Sequence, residues 1–180
     1  ELETIEPRTV MKDGTVHDLV LVYKNRARYI IENFMIASNG AMVNFLTKNG
    51  RAHIHRIVRR PERWPQIREI AGSFGDELPE DPDAPALSEF LMRRRKADAD
   101  RFPDLSLTII KLLGSGEYVM AEPGGIPFGH FGLAVHDYTH STAPNRRYID
   151  VVIQRLLKSV LAQERTPYGK GELESIAYKC

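Results

Sequence analysis

The sequence predicts an α+β fold, mixed and rich in helix, with a few strands that complete a sheet begun upstream. Three observations carry this. Residues 26–48 place apolar side chains at helical spacing over six turns. Short runs that read as strands occur at 15–22, 52–58 and 116–122. A long glycine- and proline-rich segment, 123–145, precedes an amphipathic stretch.

In order, Gly14 and the run Val16, Leu19, Val20, Leu21, Val22 read as a turn and a strand. Residues 26–48 follow as a helix with Ile30, Ile31, Phe34, Met35, Met42, Val43, Phe45 and Leu46 on its apolar face. Gly40 lies inside it at a cost of about 1 kcal/mol relative to Ala, which points to a close packing partner. Residues 52–58, AHIHRIV, alternate as a strand, and a helix from near Pro61 to Gly72 or Gly75 comes next. The acidic, proline-containing stretch 76–90 reads as a solvated connection or an ordered loop. Ser88 suits the N-cap of the helix after it, because its hydroxyl can accept from an orphan backbone N–H. LSLTIIKLL shows no strict alternation and reads as helix, GEYVMAE reads as strand, and 146–163 reads as helix. Leu173, Ile176, Ala177 and Cys180 lie at helical spacing in a last segment with no terminating glycine. That ending, and an opening on Glu1, suggest a fragment of a longer chain.

The 25 basic and 24 acidic residues nearly cancel, so any anion-binding surface must come from local clustering. No apolar run has the length of a membrane span, and the first residues lack the pattern of a signal peptide, which suggests the cytoplasm. The single cysteine excludes an internal disulfide and any multi-cysteine zinc site.

Long irregular segments in compact domains usually serve a site, which singles out the loop ending in HDYTHSTAPNRR. Reading the helix from Arg146 puts Arg146 and Arg147 in its first turn, where the dipole disfavours cations by several tenths to about 1 kcal/mol. An external anion would relieve that, held also by free N–H groups, Ser141 and Thr142. The plainer alternative pairs Arg146 with Asp150 and leaves Arg147 exposed. His136 and His140 are four apart, but a metal site needs a helical face and a third ligand, and the segment reads as loop. His53 and His55 alternate on a strand and read as structural histidines. Six arginines between Arg51 and Arg68 suit backbone phosphates or form a solvated face, and Arg93 to Lys96 read as an exposed helical face. No closely spaced group of aspartates falls on a buried-strand pattern, as a two-metal nuclease would need, and no phosphate-cradling loop or nucleophile elbow occurs.

GHFGLAVHDYTHSTAPNRRYIDVVIQRLL resembles the ribonuclease II signature, a His-Phe-Gly-Leu-Ala loop leading into Tyr-Thr-His-x-Thr-Ser-Pro-Ile-Arg-Arg-Tyr-x-Asp and a helix. YIIENFMIASNGAMVNFL is similar to the family's Ile-Glu-Glu-x-Met-x-x-Ala-Asn helix, and HIHRIVRRP to its Tyr-Arg-Val-His-x-x-Pro strand. The resemblance covers essentially the whole chain and corresponds to the C-terminal half of that family's RNB-type catalytic domain.

It implies hydrolysis of single-stranded RNA from the 3′ end, releasing nucleoside 5′-monophosphates with magnesium. The metal-binding aspartates would lie upstream of Glu1, in the rest of the same protein, as would cold-shock and S1-type RNA-binding domains elsewhere. By the same resemblance Arg146 is the catalytic arginine, Tyr138, His140, Thr142 and Arg147 line the RNA channel, and His130 and Asn39 are RNA-binding positions close to it. The alternative is a non-catalytic RNA-binding protein that keeps the fold. Ala143 stands where the motif has serine, Asn145 where it has isoleucine, and Val58 where the strand has histidine. Near that strand some members clamp terminal bases with an aromatic, and the residues here are Ala52, His53 and His55, which suggests a weaker or an imidazole-based clamp.

Overall fold

A computed structural model describes residues 6–22, 25–125, 129–133 and 135–180. Six α-helices and six short strands are distributed along the described residues, and the fold divides into two compact units. One comprises Glu1–Ile31 with Pro61–Leu113, and the other Glu32–Arg60 with Gly114–Cys180.

In the first unit, β1 (Glu6–Lys12) and β2 (Thr15–Val22) form an antiparallel hairpin. Its turn is Asp13-Gly14, both at positive φ, 52° and 78°, the combination a tight hairpin turn requires and which Asp-Gly tolerates. The strand β1 was not anticipated, although that Asp-Gly pair is its signal. Three helices follow, α2 (Trp64–Ser73), α3 (Ala84–Ala97) and α4 (Phe102–Leu113). They bury Trp64, Ile67, Ala71, Leu87, Phe90, Leu91, Phe102 and Ile109. Helix α2 starts at Trp64 rather than near Pro61, with Pro65 in its first turn, where a missing N–H costs nothing. It ends at Ser73; Gly75, at φ 77°, then turns the chain so that the Asp76 N–H returns to the Ala71 carbonyl.

The N-cap of α3 is Asp83 and not Ser88. The Asp83 carboxylate accepts from the Ala86 N–H at 2.7 Å, with Pro85 in the first turn, so the helix begins one turn before the serine. Of the acidic stretch, residues 76–83 form an ordered loop and 84–90 belong to α3. The Pro79 carbonyl of that loop accepts from the Trp64 indole at 2.9 Å and its Leu78 side chain is buried. The basic run on α3 is engaged within the unit: Arg93 pairs with Asp76, Arg94 lies over the Phe74 ring, and Arg95 donates to the Tyr29 hydroxyl.

The helix α1 spans Arg26–Lys48 as the spacing predicts, with the Asn25 side chain accepting from the Arg28 N–H at its start. Its residues up to Ile31 belong to the first unit and the rest to the second. The predicted apolar face is only partly buried: Val43 and Leu46 are covered, whereas Ile30, Ile31 and Phe34 are exposed. Periodicity marks a face but not what covers it. The close contact expected at Gly40 is also absent among the described residues, since a Cβ there would meet nothing within 4 Å.

The second unit pairs β3 (His53–Ile57) with β4 (Glu117–Ala121) in antiparallel register, Arg56 opposite Tyr118. A two-residue ladder joins β5 (Gly129–His130) to β6 (Val135–His136), and Val58 bridges to His130. Helices α5 (Tyr148–Leu161) and α6 (Lys170–Lys179) close the unit. Leu46, Ile54, Ile149, Val152, Ile153, Leu156, Leu173 and Ala177 form one core. Cys180, predicted on the buried face of the last helix, is exposed and free. No helix among the described residues is long and apolar enough to cross a membrane.

Candidate functional site

Residues 137–147 connect β6 to α5 and run along the strand β3. The Arg56 N–H donates to the Tyr138 carbonyl at 2.7 Å, and the Thr139 hydroxyl donates to the Ile54 carbonyl at 2.5 Å. These bonds tie an otherwise irregular segment to β3. Asp137, at φ 56°, turns the chain into it.

Asn39 reaches this segment from α1 and is 1% exposed. Its amide donates to the Tyr138 hydroxyl at 3.0 Å, and its oxygen accepts from the Ser141 N–H at 2.9 Å and the Ser141 hydroxyl at 2.8 Å. The Gln154 amide on α5 donates to the Ser141 carbonyl at 2.8 Å. Three elements are thereby fixed to one short loop through buried hydrogen bonds, each stronger for lying out of water.

The two arginines stand otherwise than their spacing suggested. Helix α5 begins at Tyr148, with Arg147 as an extended N-cap residue at φ −129°, so Arg146 and Arg147 precede the helix rather than forming its first turn. A turn holds them there, with both of their N–H groups directed at the Ala143 carbonyl. The ion pair is also the reverse of the one considered: Arg147, not Arg146, donates to Asp150 at 2.8 Å. The Asp150 side chain is 0% exposed and that of Arg147 20%. The same Asp150 oxygen accepts from the Ala143 N–H at 2.7 Å. Asp150 therefore places its carboxylate in the first turn of α5, where the dipole favours an acid, and locks the turn that carries both arginines. Arg146 is exposed, and its side chain has no hydrogen-bond or acidic partner among the described residues.

Aromatic rings and imidazoles line the neighbouring surface. Tyr138 meets His130 and His140 edge-on, at centroid distances of 5.5 and 5.7 Å. The Tyr118 hydroxyl lies 2.7 Å from His140 Nδ1, and the Arg56 guanidinium lies over the Tyr118 ring at 4.9 Å. Burial is the main cause that lowers His130 and His140 to about 4, reinforced by Arg56 beside the first and Arg147 beside the second. Burial also raises the Tyr118 phenol. At neutral pH both imidazoles are uncharged and can hydrogen-bond without adding charge. Thr142 Oγ1, His130 Nδ1, Arg147 Nε and Asp150 Oδ2 are buried with no hydrogen-bond partner among the described residues. In native structures such groups are expected to meet water or a ligand.

His53 and His55 form a second pair beneath this surface, 1% and 4% exposed. His53 Nδ1 lies 2.9 Å from the Arg51 carbonyl, which can only accept, so Nδ1 carries the proton. His53 Nε2 is then the acceptor, and the proton in its 2.8 Å bond to His55 Nε2 belongs to His55. Burial lowers both, His55 to about 4, with His53 as a second cause for His55. They are structural histidines, as their alternation suggested. Buried against each other, they present no ring face to a stacking base, which removes the expected imidazole clamp.

Of the residues singled out in the sequence, Asn39, His130, Tyr138, His140, Thr142, Arg146 and Arg147 all fall in the second unit. Asn39, Tyr138 and Ser141 are interior, His130, His140, Thr142 and Arg147 half-buried, and Arg146 exposed. His136 is exposed on β6, and no group of three or more metal-ligating side chains gathers among the described residues. The arginines from 51 to 68 separate: Arg51 bonds the Glu164 carbonyl, Arg59 pairs with Glu117, Arg68 bonds the Leu78 carbonyl, and Arg56 joins the ring cluster. Tyr118 was missed. Only the register of two strands far apart in sequence brings it opposite Arg56.

Residues 1–163 match the RNB domain family. The chain belongs to that family. Ribonuclease R of Escherichia coli is 33% identical to this RNB chain over 150 residues, which are 81% of the chain and 18% of the relative. Ribonuclease R of Chlamydia muridarum is 27% identical over 179 residues, 97% of the chain and 24% of the relative. The RNB chain thus spans about a quarter or less of these relatives. The apo form of Mycoplasma genitalium RNase R superimposes with a TM-score of 0.78 at 25% identity, covering 99% of this chain and 29% of that one. The same enzyme in complex with double-stranded RNA gives a TM-score of 0.77 at 25% identity, over 99% and 33%.

Proposed function

We propose that this chain is the C-terminal part of the catalytic domain of a hydrolytic 3′-5′ exoribonuclease that degrades single-stranded RNA to nucleoside 5′-monophosphates in the cytoplasm. The observation that carries the reading is the turn before α5: Arg147 is tied to buried Asp150, and Arg146 stands exposed and unpaired beside it. Membership of the RNB family supports RNA as the substrate, as do the RNA complexes of the Mycoplasma genitalium neighbour. In this reading Arg146 holds the scissile phosphate and stabilises the charge that develops on its oxygens, where a preorganised cation does most for the rate. Arg147, Thr142, His140, Tyr138 and His130 shape the adjoining channel, and Asn39 holds Tyr138 and Ser141 in place behind it. The strands here would complete a sheet begun upstream.

A two-metal, magnesium-dependent reaction would need ligands from outside the described residues. Among the described residues no three ligating side chains meet, and buried Asp150 is committed to Arg147 and the Ala143 N–H. Magnesium would supply electrostatic stabilisation and an activated water, and the residues of this chain would bind and orient the phosphate beside it.

The test uses the intact protein and a 3′-labelled single-stranded oligoribonucleotide. Arg146→Ala is expected to lower nucleotide release by two or more orders of magnitude, on the order of 3 kcal/mol in the barrier, while RNA affinity changes little. Turnover surviving within a few fold would overturn the role given to Arg146. Tight RNA binding without any nucleotide release by the unaltered protein would instead make it a binding protein that keeps the fold.

A further inference from the structure

The strand β3 presents Arg56 in an unusual setting. Its guanidinium lies 4.9 Å over the ring of Tyr118, its cross-strand partner, and rests against Gly116, two residues before that tyrosine. A Cβ at Gly116 would come within 2.5 Å of Arg56 Nη2 and 2.6 Å of Cζ, so the glycine leaves the room that the guanidinium occupies. Arg56 is half-buried and has no carboxylate partner among the described residues. Arg59 takes Glu117, and Asp150 serves Arg147. The groups next to Arg56 carry no negative charge: Tyr118 is a phenol, and His130 is neutral. A half-buried cation with one face stacked on an aromatic ring keeps the N–H edges of its planar fork available to an anion.

We propose that Arg56, seated on Tyr118 above Gly116, is a further phosphate-binding residue of the RNA channel that grips a backbone phosphate other than the one at Arg146. This rests on the reading that the intact protein binds RNA. The bound group is a phosphodiester rather than a base, because Tyr118 already fills the stacking face and the fork matches phosphate oxygens.

The experiment measures equilibrium binding of the intact protein to a labelled single-stranded oligoribonucleotide, with EDTA present, across a series of salt concentrations. Arg56→Gln is expected to raise Kd roughly tenfold, the scale of one lost charge-assisted contact, and to make the log–log salt slope shallower by about 0.7. Arg56→Lys keeps the charge and is expected to keep the slope with weaker binding. Gly116→Ala, which pushes the guanidinium off its seat, reproduces the loss in the unaltered protein and adds nothing in the Arg56→Gln background. Arg101→Gln removes one exposed charge from the other unit and leaves the slope unchanged. The inference fails if Arg56→Gln leaves the slope intact, even with weaker binding, or if Arg56→Lys loses as much slope as Arg56→Gln. It also fails if the Gly116 and Arg56 losses multiply, or if Arg101→Gln acts equally. An unaltered protein that binds no RNA sinks both this inference and the function it rests on.

Discussion

The two units fill their interiors with different material. The unit containing Pro61–Leu113 packs Trp64, Ile67, Phe90, Phe102 and Ile109 together, and Ser106 is the polar residue buried with them among the described residues. The unit containing Gly114–Cys180 buries Asn39, His53, His55, Thr139, Ser141, Asp150 and Ser159 beside an aliphatic core. Apolar packing constrains volume, and many shapes satisfy it. A buried hydrogen-bond network constrains the direction of each donor and acceptor, and it loses heavily when one member is removed. The polar unit is also the one that carries the candidate site, so the cost of burial there accompanies a loop held in one geometry before any ligand arrives.

That contrast breaks most visibly at Asp150. Asp150→Ala leaves the Arg147 guanidinium without its acid and the Ala143 N–H without an acceptor. The expected loss is about 3 to 5 kcal/mol in urea unfolding, the range for breaking a buried pair from one side. A loss below about 1 kcal/mol would mean that the pair is effectively solvated and that the turn is held by other contacts.

A matched pair of substitutions probes the same contrast at constant volume. Asn39→Leu keeps the size of the side chain but orphans the Tyr138 hydroxyl, the Ser141 N–H and the Ser141 hydroxyl, at a cost of about 3 kcal/mol. Leu91→Met in the other unit conserves volume without touching a polar group and costs less than about 1.5 kcal/mol. Equal losses at the two positions would show that packing, rather than hydrogen bonding, dominates in both units.

Acid should separate the units next. Burial lowers His53, His55, His130 and His140, the last three to about 4, whereas the unfolded chain protonates near 6.5. Above that value both states are neutral and stability is complete. As pH falls from about 6.5 towards 4 the unfolded state takes up protons that the folded state refuses, so stability declines, and below about 4 the histidine contribution levels off. All four histidines lie in the polar unit. Amide exchange, corrected for intrinsic rates, should lose protection at Ile54 and Val152 between about pH 7 and pH 5 while Ile67 and Ile109 change less. Equal loss in both units would indicate a single cooperative unfolding step.

The same contrast decides what could be read from the sequence. Helices α1, α4 and α5 and the strands β3 and β4 follow from local periodicity and residue type, as does the irregular course of the loop before α5. Asp83 displaced Ser88 as the cap of α3 because an acid with a proline two residues on marks the first turn more strongly than a serine already preceded by Ala86 and Leu87 at helical spacing. The family motif drew attention to Arg146, Arg147, Tyr138, His140 and Asn39, but a motif does not say which side chains are interior. That Asn39 closes on Ser141, and that Arg147 rather than Arg146 takes Asp150, depends on contacts made by the folded chain. Tyr118 and Gly116 carry no local signal at all; they matter because strand pairing sets them against Arg56.

The smallest effect is expected at Gly40, one residue beyond the Asn39 lock and inside α1. Glycine in a helix interior costs up to about 1 kcal/mol relative to alanine, because the unfolded chain loses more conformational freedom there. The space above it is open, with nothing within 4 Å of the point where a methyl group would sit, so Gly40→Ala should stabilise the protein by about 0.5 to 1 kcal/mol. Thermal unfolding of the intact protein reads the sign directly. A rise in Tm means that this stretch of α1 faces solvent and that its glycine is dispensable to the fold. A fall means that another part of the intact protein presses on the helix at that point, close enough to exclude one methyl group. It would tie the exposed apolar residues Ile30, Ile31 and Phe34 on the same helix to a covering surface, and the polar lock at Asn39 would then sit beneath an interface rather than at the edge of an open face.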